Sequence, residues 1–372
     1  MFDEIHVANS NLWPRCARRP AVLLCIGLVF LNAAFADNLG LPPSEGAATR
    51  DADGRLKTLG KLLFFDRRLS ADGKISCATC HIPREAFTDK RPRSLGHDDR
   101  MGTRNAPSLL NVGYSDSLFW DGRTKDLETQ AIAPLTNPLE QALPSEESIA
   151  IIVRRDPGYV RDFSRLFGAG REQITAAMVT RAISTYERSL VAADSPFDQF
   201  EYGHDTGALT PAARRGLELF QGRAQCASCH LIGVSSALLT DGQFHPSPLG
   251  IPTSVNAELG TLAAKVVAIA NRGGRRELEQ LIATDSGVAA LGRFVVTLKP
   301  DDIGKFKTPS LRNVALTAPY MHDGSINTLE EAVDIELYSR GTTLNYPIAL
   351  TLDERRDLVE FLAALTSSRA RL

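Results

Sequence analysis

The pentapeptide Cys-x-x-Cys-His occurs twice in this chain of 372 residues, at positions 77–81 and 226–230. Two thiols at this spacing can take up the vinyl groups of one porphyrin, and the following histidine can bind its iron, so the motif indicates a covalently attached c-type haem. A zinc site needs two more ligands nearby, and a thioredoxin-like motif does not require the adjacent histidine. The predicted binding residues of two haem c groups are Cys77, Cys80, His81, Cys226, Cys229 and His230.

Residues 1–36 have the organisation of a secretory leader. A basic stretch at residues 15–19 precedes an apolar run from Ala21 to Phe35, which is short for a membrane span, and Ala34-Phe35-Ala36 offers a small-x-small cleavage pattern. We therefore predict a signal peptide over residues 1–36 and a periplasmic location. An uncleaved anchor is the alternative.

Leader removal would leave 336 residues with four of the six cysteines, because Cys16 and Cys25 depart with the leader. All four belong to the haem motifs, so no disulfide is expected. The net charge would move from −2 to −3, which argues against nucleic acid as a partner. No later segment has the roughly 18 uninterrupted apolar residues of a transmembrane helix, so no membrane span is expected after leader removal.

A second repeat accompanies the haem motifs. Pro107-Ser108-Leu109-Leu110-Asn111-Val112 recurs as Pro309-Ser310-Leu311-Arg312-Asn313-Val314 at an offset of 202 residues, whereas the haem motifs are offset by 149. The second copy must therefore contain about 53 extra residues, which we place in the Gly- and Pro-rich stretch 233–303 as a long loop or insertion. We predict two homologous haem domains, residues 37–200 and 201–372, that meet near Asp194–Gly207.

Apolar periodicity and capping patterns predict a helical chain. An apolar residue recurs at every fourth position from Ile174 to Leu190, which indicates one apolar stripe on a helix. Thr210-Pro211 is typical of a helix start. Capping boxes at Thr328 and Thr351 predict two further helices, the second of which packs an apolar face against a core.

Four longer motifs are specific to one family: Leu62-Leu63-Phe64-Phe65-Asp66, Arg104-Asn105-Ala106-Pro107, Phe119-Trp120-Asp121-Gly122-Arg123 and Ala318-Pro319-Tyr320-Met321-His322-Asp323-Gly324. With them the chain resembles bacterial di-haem cytochrome c peroxidases and the related MauG enzymes, from about Leu59 to Leu365. The resemblance implies a mainly α fold with two cytochrome c-like haem domains in tandem and long irregular loops. It also implies a peroxidatic haem in the first domain and an electron-transfer haem in the second.

The resemblance implies three roles around the first haem. Glu140 matches the residue that moves a proton during cleavage of the peroxide O–O bond, a task for a carboxylate whose pKa is raised by burial. Gln130 matches a neighbour that hydrogen-bonds peroxide, and His97 matches a histidine that caps the iron at rest and is withdrawn on activation. Without this context, Glu140 would be read as a solvated surface charge and His97 as a solvated loop residue.

Two further roles follow from the resemblance. Trp120 matches a tryptophan that relays an electron or hole between the haems, and a packing role is compatible with that function. Asn105, Thr317 and Pro319 match residues that hold a calcium ion through hard oxygen donors. A turn without a metal ion is the alternative.

The upper ligand of the second haem departs from the family pattern. It is a methionine in the peroxidases and a tyrosine in MauG, each fourteen residues beyond the equivalent of His322, and that position here is Glu336. In a helix that begins at Thr328, Glu336 falls on an apolar stripe, where ferric iron would compensate the carboxylate, and Tyr338 lies about 200° further round. We favour Glu336 over Tyr338, with a water ligand or an open site as the remaining alternatives.

An oxygen ligand favours ferric iron and a low potential, which suits the sharing of oxidising equivalents better than electron entry. We expect a periplasmic di-haem peroxidase that reduces hydrogen peroxide to water with electrons from a donor protein, such as a small cytochrome c or a cupredoxin. The close alternative is a MauG-like enzyme that oxidises residues of a partner protein. A non-catalytic electron carrier or haem sensor is the alternative from another class, and a homodimer is left open.

Overall fold

The computed structural model describes residues 38–43 and 52–371, so the predicted leader lies outside the described residues. Within these ranges the chain is mainly helical, with one small antiparallel sheet, and no helix has the length and hydropathy of a membrane-spanning segment. The elements are α1 (Ala52–Phe65), α2 (Cys77–Cys80), α3 (Leu127–Thr136), α4 (Glu146–Arg154), α5 (Pro157–Phe167), α6 (Ala176–Arg188), α7 (Pro196–Glu201), α8 (Pro211–Gln221), β1 (Phe244–Pro246), α9 (Thr253–Asn271), α10 (Arg275–Thr284), α11 (Ser286–Ala290), α12 (Phe294–Thr297), β2 (Lys305–Lys307), α13 (Leu329–Leu344) and α14 (Leu352–Ala363).

The helix starts that the sequence predicts are confirmed. Thr210 caps α8, with its side chain accepting from the amide of Ala213, and Pro211 occupies the first helical position. Both halves of the capping box are present at Thr328 and Thr351. These side chains satisfy amide groups that have no partner inside the helix, which fixes where α8, α13 and α14 begin.

Two main hydrophobic cores lie in the two halves of the chain. The first packs α1 against α6, with Phe64 and Ile183 fully buried, and the second packs α8 against α14, with Phe220 and Phe361 fully buried. The chain from Asn38 to Leu372 nevertheless forms one compact unit. The division into domains at residue 200 therefore stays a prediction.

The extra residues of the second copy fold into helices rather than a long loop. Helices α9 to α12 surround a third core that contains Val266, Val288 and Leu291. This helical insertion, residues 253–298, packs against the first half of the chain, because Thr103 donates to the carbonyl of Ile282 at 3.0 Å. Gly260 and Gly287 lie inside helices α9 and α11, whereas Gly273, Gly274 and Gly292 lie between helices, and this glycine content hides the helical character of the stretch in the sequence.

The repeated Pro-Ser-Leu segments adopt the same local structure. Asn111 and Asn313 both have left-handed backbones, with φ of 61° and 62°. Each asparagine side chain accepts an amide hydrogen bond from the segment that closes its own half, Asn111 from Ala192 at 2.9 Å and Asn313 from Ser367 at 2.8 Å. The duplication inferred from the sequence therefore extends to hydrogen bonding.

A buried ion pair ties the second core to the start of the described chain. The side chains of Arg312 and Asp198 are 3% and 0% exposed and form two hydrogen bonds, of 2.8 and 2.9 Å. Arg312 also donates to the carbonyls of Gly40 and Ala237. The guanidinium is thus fully engaged, as a buried cation must be.

We expect Asp198→Ala to lower the free energy of unfolding by about 3–5 kcal/mol, because it leaves the Arg312 guanidinium buried without a counter-ion. The matched control is Asp334→Ala, which removes the partner of Arg355 from a solvent-exposed pair and costs less than about 1 kcal/mol. Denaturant unfolding of the two variants measures both values, and equal losses would contradict this interpretation.

Candidate active site

The histidines of the two pentapeptides are oriented by equivalent hydrogen bonds. Nδ1 of His81 lies 3.0 Å from the carbonyl oxygen of Phe87, and Nδ1 of His230 lies 2.9 Å from that of Leu239. A carbonyl can only accept, so each Nδ1 carries the proton and each Nε2 is left free to bind a metal. Burial lowers the pKa of both imidazoles, that of His230 to about 4, and so both rings are neutral at pH 7.

The Pro-Ser-Leu repeat positions the carbonyls that hold these histidines. Ser108 donates to the carbonyl of Ala86 at 2.6 Å, and Ser310 donates to that of Leu238 at 2.7 Å. Ala86 and Leu238 immediately precede Phe87 and Leu239, whose carbonyls accept the hydrogen bonds of the two histidines. Phe87 and Leu239 have left-handed backbones, with φ of 57° and 55°. The repeat therefore serves to orient the two imidazoles.

The four cysteines of the two motifs are free. Burial raises the pKa of Cys77, Cys80 and Cys226 to about 12, so these three thiols are neutral at pH 7. Cysteines that act in redox exchange or bind zinc need the opposite shift, because the thiolate is the reactive form. Paired cysteines beside an imidazole with a free Nε2 fit a haem with two thioether links, so the donor set suits the cofactor.

Glu140 is partly buried beside the first pentapeptide. Burial raises the pKa of its carboxyl, while the charge of Arg123 and a hydrogen bond from Asn137 oppose the rise. The charge of Glu140 in turn acts on the thiol of Cys80, which places the two groups at the same site. Gln130 is half-buried on α3, and within the described residues no hydrogen bond joins it to Glu140.

His97 lies at the tip of a hairpin, residues 94–102, that docks on the Glu140 segment. The hairpin is closed by a 3.0 Å hydrogen bond from Gly102 to Ser94. The amide of His97 donates to the carbonyl of Glu140 at 2.8 Å. Its ring nitrogens face the carboxylates of Asp72 and Asp98, each at 3.5 Å.

Trp120 lies where the two halves of the chain meet. Its indole N–H donates to the carbonyl of Asn105 at 3.0 Å, and the amide of Asn105 donates to the carbonyl of His322 at 2.9 Å. The carbonyl of Trp120 accepts from the amide of Lys307, again at 2.9 Å. A short hydrogen-bonded path therefore links the Trp120 indole to the backbone of the second half.

Asn105 lies against the segment that follows Thr317 and Pro319, because its amide donates to the carbonyl of His322. Its side-chain nitrogen donates to the carbonyls of Arg91 and Pro92, at 3.0 and 3.3 Å. The amide nitrogen is thereby used within the protein, and Oδ1 is the atom with which Asn105 can bind a hard cation.

A charged cluster surrounds the second pentapeptide. The sulfur of Cys229 lies 3.2 Å from a guanidinium nitrogen of Arg340 and 3.6 Å from Nε2 of His245. Nε2 of His245 also lies 2.7 Å from a carboxylate oxygen of Asp241. The ligand atoms of Cys229, Asp241 and His245 all lie within 4.8 Å of one another, close enough for one metal ion. A thioether bond at Cys229 would remove its thiolate from that set.

Glu336 and Tyr338 project from α13, which runs unbroken through both positions. Glu336 is accessible to solvent, yet the surrounding protein raises the pKa of its carboxyl, and the charges of Arg340 and His245 oppose the rise. The charge of Glu336 acts on the Cys226 thiol. Tyr338 is 78% exposed. Glu336, and not Tyr338, therefore faces the second pentapeptide.

Several residues of these sites were not predicted from the sequence. Arg123 ends one of the four family motifs, Asn137 is three residues before Glu140, and Arg340 is four residues beyond Glu336 on the same face of α13. His245 reaches Cys229 through the pairing of β1 with β2, and nothing in the sequence signals that contact.

Comparisons with known proteins agree on one family. Residues 55–206 match the sequence profile of di-haem cytochrome c peroxidase. The methylamine utilization protein MauG of Methylorubrum extorquens is 35% identical over 317 residues, which cover 84% of this chain and 78% of that protein. The cytochrome c551 peroxidase of Nitrosomonas europaea is 34% identical over 350 residues, covering 93% and 90%. The crystal structure of a MauG-like protein associated with microbial copper homeostasis is similar with a TM-score of 0.71 and 31% identity, covering 90% of this chain and 95% of that one.

The contact between the hairpin and the Glu140 segment can be tested at two glycines. A methyl group at Gly96 would lie 1.9 Å from the carbonyl oxygen of Leu139, whereas at Gly102 its nearest neighbour would be 3.7 Å away. We expect Gly96→Ala to displace the hairpin and to speed hydrogen exchange of the His97 amide on the order of tenfold. Gly102→Ala is the matched control, and equal exchange rates in the two variants would contradict the docking described here.

Proposed function

The chain belongs to the di-haem cytochrome c peroxidase family, and from this premise we propose that it is a periplasmic peroxidase that reduces hydrogen peroxide to water with electrons from a small redox protein. The observation that carries the proposal is the site at Glu140, where a carboxyl of raised pKa lies beside a haem-motif cysteine and under the His97 hairpin. The sequence pattern of residues 1–36 supports export.

Four cysteines and two histidines hold the cofactors in this proposal. Cys77 and Cys80 form the thioether bonds of the first haem, and Cys226 and Cys229 form those of the second. The Nε2 atoms of the two motif histidines bind the irons. Haem, when bound, supplies iron that accepts peroxide and exchanges electrons with a donor.

Glu140 moves the proton that peroxide cleavage requires. Its carboxylate would take a proton from the peroxide oxygen nearer the iron and return it to the oxygen farther from the iron, which leaves as water. A raised pKa suits both halves of this task, because the protonated and ionised forms are then closer in free energy at working pH. Gln130 is proposed to orient peroxide by hydrogen bonding, and its half-buried position on α3 is compatible with that role.

The His97 hairpin controls access to Glu140. His97 is the proposed resting ligand of the first iron, and peroxide needs that position open. The hairpin is held by the amide hydrogen bond of His97 to Glu140, by a hydrogen bond from the Arg100 guanidinium to the carbonyl of Pro138, and by the contacts of the imidazole with two carboxylates. These are polar contacts, which water can replace. Hairpin movement would therefore free the iron and uncover the acid–base group together.

Two features at the junction of the halves complete the proposal. Trp120 relays electrons between the haems, which its hydrogen-bonded path through Asn105 to the His322 backbone supports. Asn105 Oδ1 and the carbonyls of Thr317 and Pro319 hold a calcium ion there, with water completing its shell. The use of the Asn105 nitrogen inside the protein supports this assignment.

We expect Glu140→Gln to reduce peroxide turnover about 100- to 10,000-fold, the range of general acid–base catalysis. The carboxylate form is required first, so wild-type activity falls as pH drops through the pKa of Glu140, which lies above the ordinary value of 4.5. Steady-state oxidation of reduced cytochrome c by peroxide measures both effects. The exposed Glu146→Gln is the matched control, and an unchanged rate in Glu140→Gln would refute the assignment.

Glu336 is the proposed upper ligand of the second haem. It faces the second pentapeptide from an unbroken helix, and its carboxyl lies within reach of the charges of Arg340 and His245. An anionic oxygen ligand stabilises ferric iron, so we expect a low potential at this haem.

The electron paramagnetic resonance spectrum of the ferric holoprotein tests this ligand. We expect Glu336→Ala to change the spin state or g values of the second haem, because it removes the oxygen donor. Tyr338→Phe is the control and should leave the spectrum as in the wild type, since Tyr338 is exposed. The reverse pattern would transfer the assignment to Tyr338.

A MauG-like activity is the second candidate, in which the oxidising equivalents of peroxide oxidise residues of a partner protein. The observation that favours it is the carboxylate of Glu336, at the position where the peroxidases carry methionine. Rapid oxidation of reduced cytochrome c after mixing with peroxide supports a peroxidase. An oxidised protein that persists in the presence of reduced cytochrome c supports the second candidate.

A further inference from the structure

Glu187 is a buried carboxyl that the proposed reaction does not use. It lies near the end of α6 and is only 5% exposed, and its Oε2 is buried without a hydrogen-bond partner. Buried polar atoms are nearly always paired in folded proteins, and a charged carboxylate without a partner is especially costly. Glu187 therefore requires a physical explanation.

The position of Glu187 relates it to the first haem motif. Its charge acts on the thiol of Cys77, one of the two cysteines proposed to hold the first haem. Gln141 approaches the same thiol, with its side-chain nitrogen 3.9 Å from the sulfur, and its own Oε1 is also buried without a partner. Glu187 and Gln141 therefore each have a buried side-chain oxygen without a hydrogen-bond partner, and both side chains act on Cys77.

The charges around Glu187 do not neutralise it. Of the described charged groups, Arg188 and Glu128 act on its pKa. Arg188 donates to both carboxylate oxygens of Glu128, at 2.6 and 2.7 Å, and among the described residues no ion pair joins it to Glu187. The other ionisable groups that Glu187 influences are Cys77 and Tyr186. Burial is the largest influence and raises the pKa of Glu187 to about 8.

We propose that Glu187 is a proton-uptake site coupled to reduction of the first haem. This inference rests on the proposed function, which supplies the electrons. One electron passes from the donor protein to the first haem, and one proton passes from solvent to the Glu187 carboxylate, so the total charge of the first core does not change. Re-oxidation releases the proton. The coupling follows from electrostatics, because ferric haem carries one more positive charge than ferrous haem and so favours the ionised carboxylate.

A redox titration of the holoenzyme at a series of pH values tests the coupling. In the wild type we expect the reduction potential of the first haem to fall by up to about 59 mV per pH unit, the constant for one proton taken up with one electron. This slope should appear at pH values around 8, where Glu187 titrates. Glu187→Gln is close in size and neutral, and it should abolish this slope. The second haem, titrated in the same sample, is the internal control and should behave alike in both proteins.

Two comparisons make the outcome decisive. Glu140→Gln should retain the pH dependence of the first-haem potential. If Glu140→Gln loses that dependence while Glu187→Gln keeps it, the proton belongs to Glu140 and the proposal is overturned. In the infrared difference spectrum of the wild type, reduction should produce the carbonyl band of a protonated carboxylic acid, which Glu187→Gln lacks. Absence of that band from the wild type would also overturn the proposal.

Peroxide turnover of the same samples separates this inference from the proposed function. Normal turnover with an identical slope in wild type and Glu187→Gln would remove the inference alone. A slope that depends on Glu187 without any turnover would remove the proposed function and leave the proton coupling in place.

Discussion

The hydrogen bond from each motif histidine to a backbone carbonyl is the contact on which both sites depend. It fixes the proton on Nδ1, leaves Nε2 as the donor, and sets the plane of the ring. The serines of the two Pro-Ser-Leu repeats hold the neighbouring carbonyls in turn. The repeat thus supplies the outer layer of each haem site, and its duplication explains why two sites share one local geometry although their surroundings differ.

Those different surroundings fit the different roles proposed for the two halves. The first site has a carboxyl of raised pKa under a hairpin held by polar contacts, which suits a group that must be uncovered. The second has a charged cluster and a continuous helix, which suits a permanent ligand. The helical insertion, residues 253–298, holds the segment that directly follows the hairpin, since Thr103 and Arg104 donate to the carbonyls of Ile282 and Ala289. An insertion in the second half therefore supports a site in the first.

Much of the local structure could be predicted from the sequence, because caps and pentapeptides depend on neighbours a few residues away. The helix starts at Thr210, Thr328 and Thr351 are examples. Contacts between distant segments could not be predicted, such as the approach of His245 to Cys229 through the β1–β2 pair. Glu187 illustrates the same limit, because its place beside Arg188 near a helix end is typical of a solvated residue, and only packing reveals its burial.

The intact mass of the purified holoprotein under denaturing conditions tests the central claim most directly. Two neutral imidazoles, each beside a pair of free cysteines, predict two haem groups that remain bound when the fold is lost, because thioether bonds survive denaturation. The account predicts the mass of the polypeptide plus two haem groups, together with the absorbance of a haemochrome in alkaline pyridine. A mass equal to that of the bare polypeptide, or haem that extracts into acidified organic solvent, would contradict it.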